Sequence, residues 1–79
     1  MYIQITTDLK NYDRGQIELK LSDQHTVKKL VDIAWQTANP PNKPREGFWI
    51  RVANKDKVFY GTKTLAECGI MTGDKVEIL

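Results

Sequence analysis

The period of the hydrophobic pattern changes twice along this chain, and that change constrains the fold more than any single residue. The opening stretch YIQITTDL alternates, with Ile3, Ile5, Thr7 and Leu9 on one side and Tyr2, Gln4, Thr6 and Asp8 on the other. QIELKL alternates again, with Ile17, Leu19 and Leu21 on the inner side. A period of two, rich in β-branched residues, predicts strands. The polar KNYDRG between them reads as a hairpin loop. From Val27 the apolar residues fall at Val27, Leu30, Val31, Ala34 and Ala38, which is helical spacing. Thr26 is placed to cap that helix, because its hydroxyl can accept an orphan backbone N–H. Asn39-Pro40-Pro41 stops it, since proline disfavours helical geometry in the residue before it.

After a stiff polar crossover, NPPNKPREG, the pattern returns to strands. FWIRV is the third, NKD turns the chain, and KVFYG is the fourth. TLAECG has the Thr64-x-x-Glu67 spacing of a capping box and Gly69 as a stop, which predicts one helical turn. Ile70 then enters the core, Gly73-Asp74 turns, and KVEIL alternates as the last strand with Val76 and Ile78 inward.

The order β-β-α-β-β-turn-β gives one amphipathic helix to cover one face of a mixed sheet. The predicted fold is an α+β roll of four to five strands packed on one α-helix, with the first and last strands central. Its predicted core is Ile3, Ile5, Ile17, Leu19, Leu21, Val27, Leu30, Ala34, Ile50, Leu65, Ile70, Val76 and Ile78. Seventy-nine residues form one domain, 1–79. A chain of this size buries only about 60–65% of its unfolded surface. That favours a binding surface over a cofactor cavity, and no cofactor is expected.

Twelve Lys plus Arg stand against ten Asp plus Glu, and the two signs are interspersed, as in Lys55-Asp56-Lys57. No basic stripe points to nucleic acid. The single cysteine, Cys68, allows no internal disulfide, which fits a reducing compartment. The N-terminus lacks the charged and apolar regions of a leader, and no run approaches a membrane span. The expectation is a cytoplasmic protein that keeps its own Met1 and does not insert into a membrane.

Three segments resemble ubiquitin: IQI near the start, IELKLSDQHTVKKL and TLAECGIMTGDKVEIL. They follow the spacing of its second strand, helix entry, short turn and last strand, so the resemblance implies a β-grasp roll. More specifically, DLKNYDRGQIELKLSD, VKKLVDIAWQ, PPNKPREGFWIRVANKDKVF and CGIMTGDKVEIL resemble the YukD/EsaB family. These are small ubiquitin-like proteins of Gram-positive bacteria associated with the type VII (ESX, WXG100) secretion system. The resemblance implies a cytoplasmic accessory or regulatory component that supports export of WXG100 substrates. Its partners would be membrane-embedded or cytoplasmic parts of that machinery, since related ubiquitin-like domains occur fused to membrane components of such machines.

Ubiquitin continues past its last strand into a flexible tail ending in Gly-Gly, whose carboxylate is activated by enzymes. This sequence stops at Leu79 without that pair. The expectation is therefore a non-conjugating binding protein, not an enzyme. The alternatives are a carrier or modifier activated at its C-terminus, or a weak nucleic-acid binder.

Candidate contact residues follow from the same reading. If Phe48, Ile50 and Val52 alternate, Trp49 and Arg51 point to the outer sheet face. Trp beside Arg is the composition of a binding hot spot. Arg51 falls where ubiquitin's apolar patch has its central isoleucine, and Leu79 keeps one apolar corner. The plainer reading of Trp49 is surface cover over Lys and Arg stems. Trp35 lies at the margin of the apolar stripe, where packing on Pro40, Pro41 or Phe48 competes with a contact role. Lys28 and Lys29 sit in the first helical turn near His25, as a contact for an acidic partner or as an ordinary exposed pair. Exposed sheet edges allow a weak homo-oligomer. Cys68 has no base and orienting group assigned to it, and no Cys/His cluster has zinc spacing, so neither a catalytic nor a metal site is expected.

Overall fold

The computed structural model describes residues 1–79. Five strands, β1 (Tyr2–Asp8), β2 (Gln16–Ser22), β3 (Ile50–Val52), β4 (Lys57–Phe59) and β5 (Lys75–Ile78), accompany one helix, α1 (Val27–Ala38). They form one mixed sheet in the order β2-β1-β5-β3-β4. Only β1 and β5 pair in parallel. This is the β-grasp roll, with β1 and β5 both interior.

The hairpin register places Ile3 opposite Leu21, Ile5 opposite Leu19 and Thr7 opposite Ile17. The apolar sets of the two strands thereby share one face. Helix α1 buries Val27, Leu30, Val31 and Ala34. Each large aliphatic side chain so covered contributes about 1.5–3 kcal/mol. The Thr26 hydroxyl accepts the Lys29 N–H at 3.2 Å and begins the helix. Asn39 ends it in the left-handed region, φ 47°, with its N–H bonded to the Trp35 carbonyl.

Several expectations change in detail. KNYDRG contains a short 3-10 turn, Lys10–Tyr12, that delivers Tyr12 into the core. Leu9, Val31, Val52 and Cys68 are also buried. Ile17 is only partly buried, whereas Leu19 and Leu21 of the same edge strand are buried. The third strand is shorter than FWIRV: Gly47 (φ 90°) and Phe48 (φ 52°) leave extended geometry before it. KVFYG is extended only to Phe59. TLAECG forms turns instead of a helix, yet its capping box is complete. Thr64 N–H donates to Glu67 Oε1 at 2.9 Å, and Glu67 N–H donates to Thr64 Oγ1 at 3.1 Å. These contacts, first the Thr64 amide and then its hydroxyl, hold the Glu67 carboxyl below its ordinary value.

Candidate functional site

The site is built where β3 and β4 stop matching residue for residue. Ile50 pairs with Phe59, but the next link is Gly61 N–H to the Gly47 carbonyl at 3.0 Å. Phe48 and Trp49 together therefore oppose Tyr60 alone. Such a two-against-one bulge re-aims side chains. A bulky residue at positive φ, as Phe48 is, stores about 1–3 kcal/mol of strain. The same loop fastens the start of α1. Lys28 N–H donates to the Gly61 carbonyl at 3.0 Å and Val27 N–H to the Lys63 carbonyl at 2.8 Å.

Between bulge and helix lies a groove of about 590 Å³, lined by Thr26, Lys28, Phe48, Trp49, Tyr60 and Thr62 over Gly47 and Gly61. The Trp49 ring lies over Gly47, where a Cβ would come within 2.5 Å of the indole Nε1. Glycine is thus required beneath the ring. Tyr60 meets Trp49 at 5.5 Å between centroids, tilted by 57°. Trp49 is 44% exposed and Tyr60 43%, which is high for two large aromatics in contact.

The electrostatics of the groove are one-sided. Lys28 Nζ sits 5.5 Å from the Phe48 ring centroid and has no carboxylate partner. No acidic residue lines the groove. The indole N–H of Trp49 finds no acceptor in the chain, and the Tyr60 hydroxyl is equally unpaired. The groove therefore offers an apolar floor with side-chain donors at its rim.

The sequence-predicted residues do not all meet here. Trp49 and Lys28 share the groove. Leu79 adjoins it: its N–H donates to the Trp49 carbonyl at 3.0 Å, while its own carbonyl accepts the Tyr12 hydroxyl at 2.7 Å. Arg51 lies apart, bonded to Glu77 at 3.4 Å and Asp56 at 3.1 Å. Glu77 is also met by Lys10 at 3.8 Å and Asn11 at 3.1 Å. Lys29 is exposed beside the cap and does not line the groove. Trp35 packs elsewhere, edge-on to Tyr12 at 4.7 Å, with its N–H on the Asn42 carbonyl at 2.8 Å. Its ring and N–H are thus engaged by Tyr12 and Asn42, two partners the sequence did not suggest.

Sequence reasoning missed Tyr60 and the two glycines. The available signal was a glycine directly before the Phe-Trp pair and a Tyr-Gly pair directly after the fourth strand. Cys68 is buried; burial, then the neighbouring Glu67, push its thiol up and keep it protonated. No cluster of His, Cys, Asp and Glu is placed to hold a metal ion. No helix is long and apolar enough to cross a membrane.

Residues 2–78 match the family described as "WXG100 protein secretion system (Wss), protein YukD". The chain belongs to the YukD family. Consistent with that membership, it is 58% identical over 79 residues to the ESX secretion system protein YukD of Bacillus subtilis (strain 168), with all of both chains covered. Among solved structures, Caldiarchaeum subterraneum ubiquitin superimposes with a TM-score of 0.73 at 18% identity. That match covers 99% of this chain and 91% of the other. The ubiquitin-like domain of Plasmodium falciparum Dsk2 gives 0.71 at 16% identity, covering all of both chains. At such identities these likenesses establish the ubiquitin-like fold alone. This YukD-family chain is thus a ubiquitin-like protein associated with the WXG100 secretion system.

Proposed function

We propose that this chain, as a single domain, is a non-conjugating, cytoplasmic accessory of the ESX machinery and works by binding another protein of that machinery in the Trp49 groove. The observation that carries the binding site is the pair of exposed aromatics, Trp49 and Tyr60, beside an unpaired Lys28. Rigid aromatics at the centre of a concave patch are the composition of binding hot spots. The donor-rich rim and lone cation favour a segment that presents an apolar side chain next to a carboxylate. Membership of a secretion-system family supports the choice of partner class.

Two arms test this. Deleting the gene is expected to reduce export of WXG100 substrates while their synthesis continues; unchanged export overturns the function. Affinity capture from the native host is expected to recover secretion components with the wild type and to lose them with Trp49→Ala or Tyr60→Ala. Retention by both variants overturns the site. Intact mass of the protein recovered from cells is expected to show no adduct, and an adduct would overturn the non-conjugating reading.

A further inference from the structure

The two edges of the sheet are built differently. Edge strand β4 has three residues and is followed by the bulge. Such a short edge offers little to a further strand. Edge strand β2 runs for seven residues and has no neighbour on its outer side. Two hydrogen bonds at its ends fix which backbone groups face outward. Leu9 N–H donates to the Gly15 carbonyl at 3.1 Å, and Asp23 N–H to the Met1 carbonyl at 2.9 Å. In an antiparallel ladder the hydrogen-bonded pairs alternate. Ile17, Leu19 and Leu21 therefore bond to β1, while Gln16, Glu18, Lys20 and Ser22 turn their N–H and C=O groups away from the sheet.

The side chains then choose a partner. Glu18 and Lys20 project from the exposed face, and neither has an oppositely charged partner in the chain; Glu18 accepts only the Thr6 hydroxyl, at 2.6 Å. We propose that β2 is a self-association edge, with two copies pairing antiparallel about a two-fold axis at Leu19 so that Glu18 of each faces Lys20 of the other.

Charge selects that register over its neighbours. Moving the axis to Glu18 opposes two carboxylates, and moving it to Lys20 opposes two ammonium groups. Like charges directly opposite are destabilising. An axis between residues would match outward-facing groups with groups already bonded to β1. With the axis at Leu19, Glu18 and Lys20 exchange both backbone bonds with Lys20 and Glu18 of the second copy. Ile17, only partly buried in one copy, comes opposite Leu21 of the other. The ladder ends near Ser22, whose carbonyl already accepts the His25 N–H at 3.1 Å. The two helices lie on the same side of one continuous sheet, and the Trp49 groove, bounded by β3 and β4 at the opposite end of the strand order, stays open.

Sedimentation velocity and amide NMR from micromolar to millimolar protein test the pairing. The expected result is reversible dimerisation, with concentration-dependent amide shifts centred on Glu18 and Lys20. Lys20→Glu is expected to weaken it about tenfold or more. The double exchange Glu18→Lys with Lys20→Glu restores the pairing at an unchanged thermal midpoint. A monomer throughout, association that ignores Lys20→Glu, shifts centred on another surface, or a native-like double exchange that stays monomeric would each overturn the proposal.

Discussion

The two tryptophans occupy opposite kinds of corner. Around Trp35 the indole N–H and the hydroxyl of the ring it packs on are both paired. Its N–H bonds to Asn42, and Tyr12 beneath it both accepts the Arg45 N–H at 3.0 Å and donates to the Leu79 carbonyl. Around Trp49 the aromatic contact is similar, but the indole N–H and the Tyr60 hydroxyl have no hydrogen-bond partner in the chain, and the Lys28 ammonium, over the Phe48 ring, has no carboxylate. A closed corner contributes stability and has nothing left to offer a partner. An open corner contributes little to stability and keeps its donors for another molecule. Residue type alone does not separate these roles; the partners do. Around Arg51 the outer sheet face is closed in the same sense, because Arg51, Glu77, Asp56 and Lys10 satisfy one another.

The sharpest way to break this contrast is stability. Trp35→Ala removes a large ring packed on Tyr12 and is expected to cost about 2–4 kcal/mol in chemical denaturation. A loss below about 1 kcal/mol would show that the corner is not closed.

A closed polar cluster can also be opened by protons. Asp74 is nearly buried and accepts the Met71 N–H and the Asn54 side-chain amide, each at 2.9 Å, with Lys55 at 3.2 Å. Burial alone would push its carboxyl up, but these hydrogen bonds and the Lys55 charge outweigh it and hold the carboxyl below its ordinary value. A depressed carboxyl stabilises the fold above its unfolded value, near about 4. That contribution disappears as pH falls through the folded value. Asp74→Asn is expected to cost about 1–2 kcal/mol at neutral pH. The gap between variant and wild type should close on acidification below about pH 4. A gap independent of pH would contradict this assignment.

Thr7 is the counter-example inside the core. It is fully buried, and its hydroxyl has no hydrogen-bond partner. Thr7→Val is therefore expected to be neutral or to stabilise by about 1 kcal/mol. A loss of more than that in thermal unfolding would reveal a partner for the hydroxyl. The smallest expected effect is at the open corner: Trp49→Ala is expected to change stability by less than about 1 kcal/mol.

Much of this architecture was legible in the sequence because the long elements carry their own period. β1, β2, α1 and β5 follow from alternation or helical spacing, and the helix begins after the Thr26 cap and ends before the Pro40-Pro41 pair as predicted. The third and fourth strands were overextended, since the entry to β3 and the exit from β4 depend on a link between Gly47 and Gly61 that only the folded chain provides. Tyr12 read as loop because its burial comes from a 3-10 turn inside a polar segment. At the groove, Trp49 and Lys28 stood out singly. Nothing local indicated that the helix start and the bulge share one wall, because the bond from Lys28 to Gly61 joins distant parts of the chain. Arg51 and Trp49 read as one patch from strand parity, and strand parity does not show that Arg51 spends its charge on Asp56 and Glu77.

The most direct measurement is export of a WXG100 substrate by cells whose only copy of this gene carries Trp49→Ala, beside cells carrying Arg51→Ala, each normalised to the abundance of the variant. Export reduced to the level of the gene deletion by Trp49→Ala, and left near wild type by Arg51→Ala, is the predicted outcome. Wild-type export with Trp49→Ala, at equal abundance, would show that the open corner is not where this protein meets its partner.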